Sequence, residues 1–276
     1  MKIIDGKALA QEFRADLKQK IEQMQTKPGL AVVIVGEDPA SRIYVRNKIK
    51  ACHELGIRSY SYELPVITPQ EELESLLDDL ANNTEVDGIL LQLPLPTHLN
   101  AEQASTHIPF EKDVDGFSAK HLGLLMQHKE KIVACTPLGV MKMLANEGIE
   151  LAGKHAVVLG RSETVGKPMA MLLLNANATV TICHSKTKNL KELCRSADIL
   201  VAAVGKPKFV TADMIKENAV VIDVGMNRDD LGKLCGDVDF ENVKDKASHI
   251  TPVPGGVGPM TITMLMYNTY LAACKE

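Results

Sequence analysis

The chain has 276 residues, 45% hydrophobic and 24% charged, a globular composition with room for one large or two ordinary domains. A formal net charge of −4 gives no general attraction to nucleic acid, although a local basic pocket for a phosphate is compatible with it. Aromatics make up only 4% and Trp is absent, so the core must be aliphatic; no apolar run has the length of a signal peptide or a membrane span.

Strands and helices alternate along the chain. Asp5 is placed to cap a helix whose apolar residues Ala8, Leu9, Phe13, Leu17, Ile21 and Met24 fall at helical spacing. Leu30 to Val35 is a continuous apolar run, read as a strand buried on both faces. Asp38-Pro39 then reads as the N-cap and first position of a helix running to about Leu55. A strand is expected over Ile57 to Leu64. Thr68-Pro69-Gln70-Glu71 reads as a capping box opening the next helix. Gly88 to Leu91 is a second buried strand, stopped by Pro94 and Pro96. After a stretch punctuated by Gly and Pro, a second alternation gives strands over 156–159, 179–182, 199–204 and 220–224, and a helix over 166–174. A Gly/Pro loop precedes a last helix over 259–273. Two such runs predict two α/β domains with parallel sheets and right-handed crossovers, divided near residue 138. The six cysteines (52, 135, 183, 194, 235 and 274) contain no CxxC and read as free thiols in a reducing cytoplasm.

Parallel sheets bind ligands beyond the carboxyl ends of their strands. The strand over 156–159 runs into Gly160-Arg161-Ser162-Glu163-Thr164-Val165-Gly166, where a glycine permits a tight turn and helix N–H groups can meet a phosphate. The pattern is not GxGxxG, and alone it reads equally as an ordinary turn. NAD enzymes carry an acid at the end of the next strand for the ribose hydroxyls. Here that place reads His184-Ser185-Lys186. Positive charge from Arg161 and Lys186, with the Ser185 hydroxyl, suits a 2′-phosphate, so the cofactor expected is NADP.

Tyr44 and Lys48 stand at i and i+4 and project from one face of their helix. Gln92 is a polar amide at the carboxyl end of a buried strand. Asp113 and Asp115 read first as a turn. No His or Cys stands near them at metal-ligand spacing, so no metal is inferred. Pro252 to Pro259 is dense in backbone punctuation, and Gly255-Gly256 would let main chain approach a flat ligand.

Together these segments resemble the bifunctional methylenetetrahydrofolate dehydrogenase/cyclohydrolases. The matching segments are Tyr44-Val45-Arg46-Asn47-Lys48, Gly88 to Pro96, Lys112 to Phe117, Gly160 to Pro168, His184 to Thr187 and Pro254 to Thr261, in order along nearly the whole chain. The resemblance implies an N-terminal catalytic domain (1–137 plus 261–276) to which the last helix returns, and a Rossmann-like NADP domain (138–260). It implies a folate site lined by Tyr44, Lys48, Gln92, Leu93, Asp115, Pro254, Gly255 and Gly256. Within that site the catalytic roles fall to Lys48, Tyr44, Gln92 and Asp115. Cofactor contacts are implied for Gly160, Arg161, Ser162, Ser185 and Met226, and a homodimer for the assembly. The sequence departs from the family pattern at Ala81, Asp87, Ala134 and Met226, none of them a catalytic candidate. A short-chain dehydrogenase also uses YxxxK, but there the motif follows the nucleotide-binding region, whereas Tyr44 and Lys48 precede Gly160. A monofunctional enzyme of the family and a catalytically silent NADP-binding regulator are the other readings.

Overall fold

All seven residues of the strand Gly29–Val35 are buried, as expected of a strand covered on both faces. In the computed structural model, which describes residues 1–274, this strand is the centre of a three-stranded parallel sheet between Arg58–Leu64 and Gly88–Leu91. One sheet face packs Ala31, Val33, Val35, Ile89 and Leu91 against Leu73, Leu77 and Leu80 of the helix Gln70–Asn82. The fully buried residues of that core are all aliphatic, with Tyr60 and Tyr62 partly buried against them. The helix Pro39–Leu55 starts where Asp38 accepts from the Ser41 N–H at 2.8 Å. Such a cap is worth roughly 1 kcal/mol. The capping box expected at Thr68 does not form. The helix Gln70–Asn82 begins after Pro69 with no side-chain cap, and the buried Thr68 hydroxyl finds no hydrogen-bond partner among the described residues.

A second sheet has six parallel strands in the order Lys2–Ile3, His249–Ile250, Val220–Asp223, Ile199–Ala202, His155–Leu159 and Thr179–Cys183. In chain order the four strands from His155 onward lie 2-1-3-4, a doubly wound arrangement with its switch point between the first and third. Helix Gly166–Asn175 crosses from the first strand to the second.

The chain divides into two compact units, one of Met1–Gln11 with Ala134–Thr261, the other of Glu12–Val133 with the residues from Ile262 on. The last helix, Val257–Ala273, thus ends in the N-terminal unit, where Arg14 Nε donates to Thr263 Oγ1 at 2.9 Å. The first eleven residues differ from the sequence expectation of 1–137 as one block. Lys2–Ile3 is too short to signal a strand, yet it pairs with His249–Ile250 and joins the larger sheet. Residues 275 and 276 of the expected 261–276 segment lie outside the described residues. A two-stranded antiparallel ribbon pairs Asn227–Arg228 with Leu234–Cys235, each strand too short to carry a sequence period. All six cysteines are free thiols, and burial pushes those of Cys52 and Cys194 up to about 12.

Candidate active site

Helical spacing sets Tyr44 and Lys48 one turn apart, both half-buried, while Val45 and Cys52 anchor the helix in the core. Lys48 Nζ donates to Gln92 Oε1 at 2.9 Å. Gln92 lies one residue past the strand Gly88–Leu91, and its backbone N–H continues the sheet to Val33 O at 2.8 Å. Its Nε2 donates to Leu93 O at 2.6 Å, which leaves Oε1 turned toward the lysine. The next peptide, Leu93–Pro94, is cis, and Leu93 is exposed.

Asp115 sits in a turn fixed on both sides. The Asp113 carboxylate accepts from Gly116 N at 3.1 Å and from Ser118 N at 2.7 Å. Asn268 of the last helix, fully buried, donates Nδ2 to Val114 O and to Val133 O, both at 2.9 Å. Lys112 Nζ donates to the carbonyls of Leu80 and Asn83 at the C-terminal end of helix Gln70–Asn82, at 3.2 and 2.7 Å. Burial pushes the Asp115 carboxyl up to about 6; the Lys48 charge pulls it back and the Asp113 charge adds to the rise. Burial outweighs the pull of the Lys48 charge, so the ionised Asp115 is held at some cost in stability. Its folded pKa exceeds the ordinary 3.8, so the stabilisation it gives as a neutral acid is present at low pH and lost as pH rises through about 6. Asp115→Asn should therefore match the wild type in thermal unfolding at pH 4. At pH 8 it should be more stable by about 2–3 kcal/mol. A gap that does not grow between those pH values would count against a desolvated carboxylate.

Pro254, Gly255 and Gly256 lie in the other unit. Val253–Pro254 is cis, Pro254 is exposed, and Gly255 O accepts from Lys7 N at 2.9 Å. Gly256 packs on its own chain: a Cβ there would stand 2.5 Å from Pro252 O.

The expected cofactor residues gather at the ends of the first two strands of the larger sheet. Gly160 has φ +121°, and a Cβ there would stand 2.2 Å from Ala203 O. Only glycine makes this turn. Ser162 Oγ accepts from Val165 N at 3.2 Å and Gly166 N at 3.3 Å, so the hydroxyl holds the first turn of the following helix. Arg161, Ser185 and Lys186 are exposed. The turn after Cys183 is closed by Thr187 Oγ1, which accepts from His184 N at 2.9 Å. In the stretch from His184 to Lys188 there is no acid, and Glu163 is engaged by Lys167 at 2.8 Å. A tight glycine turn, a helix N-terminus, two cations and no carboxylate aimed at the ribose fit NADP. Met226, expected at the nicotinamide, is exposed just past the fourth strand.

Four organising residues had no signal in the sequence or only a bland one. Asp113 reads there as a turn residue. Asn268, Asp223 and Asp237 act across long sequence separations, which no local spacing reveals. Burial pushes Asp223 up to about 7, while N–H groups from Val238, Asp237 and Gly225 hold it down. Of the departures from the family pattern, Asp87 accepts from Gly29 N at 2.8 Å at the sheet edge, and Ala134 is buried before the helix Cys135–Asn146. Among the described residues no three His, Cys, Asp or Glu side chains gather to hold a metal, and no helix is long and apolar enough to cross a membrane.

The architecture defines a two-domain α/β protein with a nucleotide-binding sheet and a polar cluster of Lys48, Gln92 and Asp115 in its other unit. Residues 4–115 match the tetrahydrofolate dehydrogenase/cyclohydrolase catalytic domain, and residues 134–276 match the NAD(P)-binding domain of the same family. The chain belongs to the tetrahydrofolate dehydrogenase/cyclohydrolase family. The bifunctional protein FolD of Campylobacter curvus is 55% identical, with 99% of this chain and 96% of the relative covered. The crystal structure of the bifunctional enzyme FolD from Campylobacter jejuni is similar at a TM-score of 0.96 and 48% identity, covering 99% of this chain and 98% of that one. The methylenetetrahydrofolate dehydrogenase-cyclohydrolase of Trypanosoma brucei, complexed with NADP cofactor and inhibitor, has a TM-score of 0.93 at 39% identity, covering 98% and 96%.

Proposed function

We propose that this chain is a bifunctional enzyme of folate one-carbon metabolism. It oxidises 5,10-methylenetetrahydrofolate to 5,10-methenyltetrahydrofolate with NADP, then hydrolyses that product to 10-formyltetrahydrofolate. The observation that carries the reading is the Lys48 amine held 2.9 Å from Gln92 Oε1 with Asp115 in electrostatic reach, in a chain of this family. NADP, when bound, accepts the hydride from the methylene carbon. Gly160, Arg161, Ser162 and Ser185 hold it, with Met226 beside its nicotinamide.

The hydride step asks the protein for positioning. Tyr44 aligns the folate, Leu93 lines its site, and Asp115 accepts from the pterin's amino and N–H groups. Hydrolysis asks for a base and then an acid. Lys48 takes one proton of the water that attacks the methenyl carbon and returns it to the ring nitrogen as the bond from that nitrogen to the carbon breaks, while the remaining hydroxyl proton leaves to solvent as the formyl C=O forms. The methenyl product is a delocalised cation. At about 5 Å and an effective dielectric of about 20 it disfavours a neighbouring ammonium by about 3 kcal/mol. The intermediate thus favours the free amine that it needs, and Gln92 orients that amine.

We assign the folate to the unit of residues 12–133 and the cofactor to that of residues 134–261. The protein works as a cytoplasmic homodimer and takes no nucleic acid; six free thiols support a reducing compartment. The test is a paired spectrophotometric assay. Methenyl absorbance should appear with methylenetetrahydrofolate and NADP, more slowly with NAD, and should decay hydrolytically without any cofactor. Absence of both activities would overturn the reading, and loss of one alone would make the chain monofunctional. Asp115→Ala should raise KM for the folate in both assays; an unaltered folate affinity would remove Asp115 from the site.

A further inference from the structure

Two buried carboxylates in the larger sheet's unit lie outside the mechanism above. Asp223 ends the strand Val220–Asp223 and is 3% exposed; Asp237 follows the short strand Leu234–Cys235 and is 0% exposed. Among the described residues neither has a cation against it. Their partners are main-chain N–H groups and one side-chain amide, that of Asn227 in the short strand Asn227–Arg228.

Asp237 Oδ2 accepts from Val204 N at 2.6 Å and Gly205 N at 3.1 Å. Its Oδ1 accepts from Lys206 N at 2.8 Å and from Asn227 Nδ2 at 2.9 Å. Asp223 in turn seats Asp237. Asp223 Oδ1 accepts from Asp237 N and Gly225 N, and Oδ2 from Val238 N, each at 2.9 Å. The fit leaves no slack. A Cβ on Gly225 would stand 2.3 Å from Asp237 Oδ1, and one on Gly236 would stand 1.8 Å from Asp223 Oδ2. Met226 is thus flanked by two pinned neighbours, Gly225 through its N–H and Asn227 through its side chain, and is itself 45% exposed.

The place of these loops gives the arrangement its meaning. Residues 204–206 follow the third strand, Ile199–Ala202, and Gly160 follows the first, His155–Leu159. The 2-1-3-4 order puts the switch point between those two strands, and a ligand of a doubly wound sheet lies in the crevice that opens there. The two loops already touch, since Gly160 fits only against Ala203 O. Burying a carboxylate is costly unless N–H donors surround it. Four of them converge on Asp237, three from the loop that follows the third strand at that crevice and one from Asn227 beyond the fourth.

We infer that Asp237, seated on Asp223, is a positioning residue for the dinucleotide: it fixes the 204–206 loop beside the crevice and, through Asn227, the Met226 backbone beyond the neighbouring fourth strand. The inference rests on the proposal that NADP binds at these strand ends. Asp237 touches no substrate; it sets the shape of the wall that the cofactor meets.

The test uses the whole enzyme with NADP as the probe. Asp237→Asn keeps the size of the side chain but puts an NH2 where N–H groups need an acceptor. Calorimetric Kd for NADP should rise tenfold or more, and KM for NADP should rise with it. Hydrogen exchange at the 204–206 amides should accelerate. Methenyl hydrolysis, which needs no cofactor and uses residues of the other unit, should stay within twofold. Asn227→Ala removes one donor to Asp237 and should weaken NADP about threefold; it decides the matter where Asp237→Asn fails to fold. NADP affinity unchanged in the folded variants, or a parallel fall of hydrolysis and affinity, overturns the positioning role. A wild-type enzyme that binds no NADP overturns the cofactor assignment itself, and this inference with it.

Discussion

Lys48→Met should lower methenyltetrahydrofolate hydrolysis by about a thousandfold, within the range general acid–base groups contribute. NADP affinity should stay within twofold. Methionine keeps an unbranched chain of similar length, so Tyr44 one turn earlier and Val45 in the core keep their packing. What disappears is the amine that faces Gln92 Oε1 at 2.9 Å, and with it the acceptor for the water proton. The dehydrogenase step should suffer less, because it calls for alignment of two ligands and no proton acceptor. The informative quantity is the ratio of the two activities in one preparation. A fall in hydrolysis without a comparable fall in hydride transfer identifies Lys48 with the second reaction. Undiminished hydrolysis would remove it from that role.

Much of this site is legible in the sequence because its parts are local. An i,i+4 pair on a helix, an amide after an apolar strand and a glycine after another strand each follow from backbone geometry. The NADP expectation rests on a local absence, since the end of the second strand carries Ser185 and Lys186 and no acid. The unreadable part is what holds these pieces. Asn268 reaches back to Val114 and Val133 from the last helix, and Asp237 gathers amides from residues 204–206. Both act through backbone groups, which carry no residue identity for a pattern to detect. The first strand is invisible for another reason. Two exposed residues have no period, and only their pairing with His249–Ile250 makes Lys2–Ile3 a strand. Thr68 shows the opposite failure. Its box pattern is correct in form, yet the helix starts after Pro69 and the buried Thr68 hydroxyl caps nothing.

Gly160→Ala should separate the two activities in the opposite sense. The backbone at +121° costs a side chain roughly 1–3 kcal/mol. The larger effect is steric. The new methyl would stand 2.2 Å from Ala203 O, a main-chain atom that cannot swing aside as a side chain would. The turn must open, and the adjoining Arg161 and Ser162 move with it. Displacement of a binding group by about 1 Å costs about a hundredfold in a positioned reaction. We therefore expect the Kd for NADP to rise about a hundredfold, dehydrogenase activity to fall in parallel at fixed NADP, and Tm to drop by several degrees. Hydrolysis should persist, since Lys48, Gln92 and Asp115 belong to the other unit. Unchanged NADP affinity in a folded variant would mean that this turn does not hold the cofactor. Loss of both activities in a stably folded variant would mean that the hydrolytic step depends on the nucleotide unit as well. The pair of variants then assigns the activities by residue: Lys48→Met spares the cofactor and loses the water chemistry, and Gly160→Ala does the reverse.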